Sequence, residues 1–162
     1  MANHCFNWIS FTGESKDLLS LKAKLETYKQ TKYLTEWGDY ILGIGEIGDT
    51  PEIFKERHKN DPYYVYGTRW FEFEIIDDHI DDKSGQGDFV ISGSSAWSPP
   101  ITLIERICEE YNLTAEMEYE EGAMDFAGKL EIDKNGIKFH DEMTSHEYRY
   151  KDDVDSWVDN LA

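Results

Sequence analysis

The amino-acid sequence predicts an α+β fold: an antiparallel sheet with two helices on one face, built around a split β-α-β core. Apolar side chains alternate with period two in several separate segments. Two stretches with helical periodicity lie between those segments. Turn residues join neighbouring strands into hairpins, and the order strand, helix, hairpin, helix, strand admits few other packings.

The first strand is HCFNWISFTG, with Cys5, Asn7, Ile9 and Phe11 on one side and Phe6, Trp8 and Ser10 on the other, closing at Thr12-Gly13. A helix follows from Ser15 to about Lys29. Leu18, Leu21, Leu25 and Tyr28 form its apolar stripe, Ser15 is the expected N-cap, and Lys22, Lys24 and Lys29 are expected to face water. Over residues 31–62 the pattern is irregular: Tyr40-Ile41-Leu42 reads as a short strand, and Thr50-Pro51 starts a short helix to about His58. Alternation returns over 69–76, where Phe71, Phe73 and Ile75 oppose Trp70, Glu72, Glu74 and Ile76. The polar stretch DDHIDDKSGQGD reads as a loop before a second strand, Phe89–Ser94. Ser98-Pro99-Pro100 opens the second helix with Ser98 as cap, and Ile101, Ile104, Ile107, Cys108 and Tyr111 trace its buried stripe to Asn112. Residues 113–120 alternate again, and 124–132 pair with 137–143 across Asn135-Gly136. The tail can form a short helix anchored by Val154, Trp157, Val158 and Leu161. The core is thus the ferredoxin-like β-α-β-β-α-β arrangement, with an extra C-terminal hairpin and short helix. The expectation is one domain over residues 1–162, with an irregular insertion at about 31–62.

Charge is the most informative feature. The chain of 162 residues has a formal net charge of −18. Residues 1–60 contribute −1 and residues 61–162 contribute −17. Such a surface repels nucleic acid and anionic membrane, so neither is expected as a direct partner. No apolar run is long enough for a membrane span, and the N-terminus lacks the basic start and apolar stretch of a signal peptide, so a cytoplasmic protein is expected. Cys5 and Cys108 sit in apolar patterns that suit buried free thiols.

If Phe71, Phe73 and Ile75 pack beneath the helices, Glu72 and Glu74 point the other way. The same argument applied to Ala115, Met117 and Tyr119 turns Glu116, Glu118 and Glu120 outward. Successive residues on one strand face lie about 6.6–6.8 Å apart, a spacing comparable to a nucleic-acid backbone. Asp77, Asp78, Asp81 and Asp82 form a second acidic cluster.

Other motifs carry less. Gly43-Ile44-Gly45-Glu46-Ile47-Gly48 spells a dinucleotide fingerprint, but the helix signal comes after it and Glu46 would repel a pyrophosphate. The aspartates with His79 lack the order of an EF-hand loop, and His140 and His146 lack zinc-ligand spacing. No catalytic set and no cofactor is expected.

Val65-Tyr66-Gly67-Thr68-Arg69-Trp70, Ala96-Trp97-Ser98-Pro99-Pro100, Tyr119-Glu120-Glu121-Gly122 and Phe126-Ala127-Gly128 together resemble the YubB-like family of phage and plasmid proteins. Asn3-x-Cys5-x-Asn7 with Thr12-Gly13 is similar to that family's opening, while Tyr66 and Arg69 replace its usual Trp and Lys. The resemblance covers 65–132 closely and 1–30 loosely, and does not extend to 31–62 or 133–162. It implies a ferredoxin-like domain of mobile-element origin and supplies no catalytic residues. In physical terms Trp97 would seal the core beside the second helix, and Gly128 would permit close packing or a bulge; the alternative is a pocket around Trp70 and Trp97.

Charge and resemblance converge on a non-enzymatic, acidic protein-binding module, an anti-defence inhibitor that offers a basic host protein a phosphate-like surface. The expected partner is a nucleic-acid-binding defence protein. Its expected contact residues are Glu72, Glu74, Glu116, Glu118 and Glu120, with Asp77, Asp78, Asp81 and Asp82. The alternatives are a divalent-metal enzyme using Asp77, Asp78, His79, Asp81 or the His140/His146 segment, and a self-assembling phage component.

Overall fold

The structure, a computed structural model, describes residues 3–29, 32–34, 40–42, 68 and 71–150. The elements are β1 (His4–Glu14), α1 (Ser15–Lys29), β2 (Lys32–Leu34), β3 (Tyr40–Leu42), β4 (Phe71–Asp81), β5 (Gln86–Ala96), α2 (Ile101–Tyr111), β6 (Thr114–Glu121), β7 (Phe126–Asp133) and β8 (Gly136–Met143). A helical turn at 145–150 follows. β2 and β3 pair with each other as a separate two-stranded sheet, which includes the short strand expected at 40–42. The dinucleotide-like stretch 43–48, the helix expected at 50–58, Trp70 and the tail beyond 150 lie outside the described residues.

The main sheet has the order β4-β5-β1-β6-β7-β8, and every neighbouring pair is antiparallel. Its first four strands, with α1 and α2, are the ferredoxin-like core. The final hairpin extends the sheet edge beyond β6 and so does not fold over either face.

Apolar alternation decides which face the helices cover. Cys5, Ile9 and Phe11 of β1, Phe71 and Phe73 of β4, Phe89 and Ile91 of β5, and Ala115 and Met117 of β6 are buried beneath the helices. Leu18, Leu21 and Leu25 of α1 and Leu103, Ile104, Ile107 and Cys108 of α2 close this core. α2 ends as expected at Asn112, whose left-handed backbone (φ 54°) sets the C-cap.

Several local expectations are corrected. Ser98 does not cap α2: the helix starts at Ile101 with Pro100 at the cap position and no side-chain cap bond. Trp97 does not seal the core. Its backbone is left-handed (φ 69°) and its N–H bonds the Asn3 carbonyl at 2.8 Å, which leaves the side chain 45% exposed. The Ser15 hydroxyl lies 2.7 Å from the Asp81 carbonyl and 3.1 Å from that of Gln86, so it ties α1 to the β4–β5 hairpin. Lys22 is half-buried against Asp78. The expected loop at 77–88 is mostly strand: β4 runs to Asp81 and β5 starts at Gln86 around a four-residue turn.

At one end of the helix-side face a buried polar group replaces apolar packing. The Asn7 amide donates to the Cys5 carbonyl (3.0 Å) and Ser95 Oγ (2.9 Å), and Ser95 Oγ donates to the Ser98 carbonyl (2.6 Å). The buried Thr68 hydroxyl donates to the Ala96 carbonyl at 2.7 Å. Close packing beside this group rests on glycine. A Cβ on Gly93 would meet the Glu72 carbonyl oxygen at 1.8 Å, and one on Gly128 would meet Tyr119 Oη at 2.3 Å. The second contact is the close packing expected of Gly128. Gly93→Ala must therefore push β4 away from β5, and thermal unfolding should show a Tm lower by on the order of 10 °C; an unchanged Tm would contradict the close approach.

Candidate functional site

The face opposite the helices carries the candidate site. Register aligns three rows across β4, β5, β1 and β6: Glu72–Ser94–Phe6–Glu120, Glu74–Ser92–Trp8–Glu118 and Asp77–Val90–Ser10–Glu116. Each row has a carboxylate at both ends. The flanking strands lie three inter-strand spacings apart, about 14 Å. Between them stand two aromatics of β1, Phe6 at 62% exposure and Trp8 at 39%.

The proposed contact residues occupy different environments. Glu72, Glu74 and Glu116 are exposed, and Glu118 and Glu120 are half-buried. Glu120 receives Arg149 through Nε (2.9 Å to Oε2) and Nη2 (2.5 Å to Oε1), a two-pronged contact. The Arg149 hydrogen bond holds the Glu120 carboxyl below the usual carboxylate range. Glu118 accepts from Tyr148 Oη at 2.8 Å, and Lys129 Nζ lies 3.5 Å away. The helical turn at 145–150 therefore reaches around the sheet to its outer face.

The four aspartates do not form one cluster. The register shifts at a bulge between Ile75 and Asp77, which changes the alternation of the rest of β4. Asp77 joins the outer rows and lies 2.9 Å from His79 Nε2. Asp78 turns to Lys22 of α1, whose ammonium lowers its pKa. Asp81 accepts the Lys83 N–H at 2.9 Å, which keeps its pKa low, and Asp82 sits in the turn.

Sequence reasoning missed Phe6 and Trp8 as members of this face. The signal was present, since alternation sets them opposite Cys5, Ile9 and Phe11. A strand apolar on both sides nevertheless does not reveal which side stays open. Tyr148, Arg149 and Lys129 join from distant positions, and no local pattern marks them.

On the helix side a cleft of about 600 Å³ lies among Ile101, Tyr119, Phe126, His140, Glu142 and Glu147. Tyr119 Oη and His140 Nε2 are 2.8 Å apart, and burial pushes the Tyr119 phenol up to about 12. His146 stacks on Tyr150, with ring centroids 6.1 Å apart. Among the described residues no group of three or more His, Cys, Asp or Glu side chains could hold a metal ion. Cys5 and Cys108 are buried, and burial pushes both thiols up to about 12. Among the described residues no helix is long and apolar enough to cross a membrane.

A depressed Glu120 pKa means the Arg149 contact is complete above the ordinary Glu range near pH 4.3 and is lost as pH falls through the lower folded-state value. Hydrogen exchange in 145–150 should accordingly rise as pH is lowered through that window, after correction for intrinsic exchange rates. Arg149→Ala should show the faster exchange already at pH 7. Both thiols should resist alkylation at pH 8 in the native protein and react in denaturant; labelling of the folded chain would contradict their burial.

The sequence profile described as "Ferredoxin-like domain in Api92-like protein" matches residues 72–158, just over half of the chain. The match spans β4 through the helical turn after β8, and so takes in much of the region after 132 that the resemblance had left out. No curated protein and no solved structure matches the chain.

Proposed function

The chain belongs to the Api92-like family of phage or plasmid proteins and carries its ferredoxin-like domain; from that premise we propose that it is a protein-binding module whose open sheet face takes a basic surface of a host protein. The observation that carries the reading is the pairing of carboxylates across the face, one at each end of three successive rows. Two lines of carboxylates about 14 Å apart, with Glu72, Glu74 and Glu116 exposed and Glu118 and Glu120 engaged by Lys129 and Arg149, approximate the phosphates bordering a groove, since the B-DNA major groove is about 12 Å wide. A surface evolved to hold a duplex or a single strand meets such a pattern with Lys and Arg. The partner is thus a nucleic-acid-binding protein, and the module acts as an anti-defence inhibitor that occupies its binding surface.

Phe6 and Trp8 give the face an apolar centre, the common anatomy of an interface with a charged rim. The same aromatics would suit stacked bases, but the carboxylates on either side repel phosphate, which favours a protein over RNA. Direct nucleic-acid and membrane contacts are not part of this reading.

Tagged protein is used to capture partners from host lysate at low and at high salt, and the eluate is identified by mass spectrometry. A basic nucleic-acid-binding protein should be held at low salt and released at high salt. The variant Glu72→Lys/Glu74→Lys/Glu116→Lys should lose it. Glu26→Lys/Glu109→Lys/Glu110→Lys, with the same change in net charge on the helices, should keep it. Equal capture by both variants would assign binding to net charge and overturn the site.

A further inference from the structure

We infer that the hollow between Phe6, Trp8 and Tyr148 receives the guanidinium of a partner arginine, which rests on the reading above and narrows it from a basic surface to one side chain. The hollow measures about 290 Å³, and Ser92, Glu118 and Glu120 also line it. That is at the small end of ligand sites and suits a single side chain. Aromatic faces and carboxylates both attract cations, and the described residues that line the hollow include no Lys, Arg or His.

The chain itself displays both kinds of contact that the hollow offers. Arg149 grips Glu120 through two nitrogens, and Lys129 Nζ lies 5.6 Å from the centroid of the Tyr148 ring. Glu118 and Glu120 therefore each face a cation of the protein already. A further compact, strongly hydrated ammonium gains little from carboxylates so matched. A guanidinium is planar and weakly hydrated, so it gains from stacking on Trp8 or Phe6 while its edge donates to a carboxylate oxygen or the Ser92 hydroxyl. The aromatic content thus selects arginine over lysine, and the carboxylates of β4 attract either.

The test titrates the full chain by calorimetry with acetylated, amidated hexa-arginine and hexa-lysine peptides at one ionic strength. The arginine peptide should bind about tenfold more tightly. Trp8→Ala should bring the two peptides to near parity, whereas Glu72→Lys/Glu74→Lys should weaken both by the same factor. Thermal melting of each variant verifies folding. If Trp8→Ala is unstable, Trp8→Leu fills the volume without an aromatic face and carries the same expectation. Parity in the unmodified protein, or an arginine preference that survives loss of the Trp8 ring, would overturn the arginine site while leaving the charge-based reading intact. Failure of both peptides to bind at low salt would overturn both.

Discussion

Everything on both faces of the main sheet depends on the position of β1 between β5 and β6. Its antiparallel register sends Cys5, Ile9 and Phe11 beneath the helices, paired with Ser95, Ile91 and Phe89 on one side. The same register sends Phe6 and Trp8 outward, because side chains alternate with period two. A slip of one residue would exchange the two sets, leaving core side chains in water and the broad Trp8 ring under α1. Burial on one face therefore specifies the composition of the other.

That specification is reinforced where the core is least apolar. The Asn7 amide sits among acceptors from β1 and β5, so its position is held by directional bonds rather than by packing alone. Gly93 and Gly128 flank Asn7 and Tyr119 in the same cross-sheet row and allow the Glu72 backbone and the Tyr119 ring to approach. The result is a sheet in which the two carboxylate strands, β4 at its edge and β6 inside it, are held at a set separation. The proposed imitation of a charged polymer depends on such spacing, because electrostatic complementarity is a matter of where the charges stand.

The electrostatics of the open face are uneven. On the β4 side Glu72 and Glu74 are exposed, while on the β6 side Glu118 and Glu120 are engaged by Lys129, Tyr148 and Arg149. In the proposed partner-binding role, long-range attraction comes mainly from β4 and from Glu116. In the same proposed role, close recognition falls to the aromatics, where water is most easily excluded and cation contacts are strongest. The chain's own arginine and lysine on this side mark the chemistry that the face can accommodate.

By itself the sequence determined the order of the main-sheet strands and their two helices, the ferredoxin-like core, the outward direction of Glu72, Glu74, Glu116, Glu118 and Glu120, and the concentration of acid after residue 60. These are local properties: apolar periodicity, helix-ending Asn112 and the Asn135-Gly136 turn act within a few residues. Charge is additive and needs no fold to be counted. Only tertiary structure decided that the last hairpin extends the sheet rather than covering its outer face, and that a bulge turns Asp78 towards Lys22 while Asp77 joins the carboxylate rows. It also decided that Trp97 stands exposed and that Tyr148 and Arg149 reach Glu118 and Glu120. Those outcomes depend on strand order, register shifts and contacts between residues far apart in the chain, which period-two alternation does not encode.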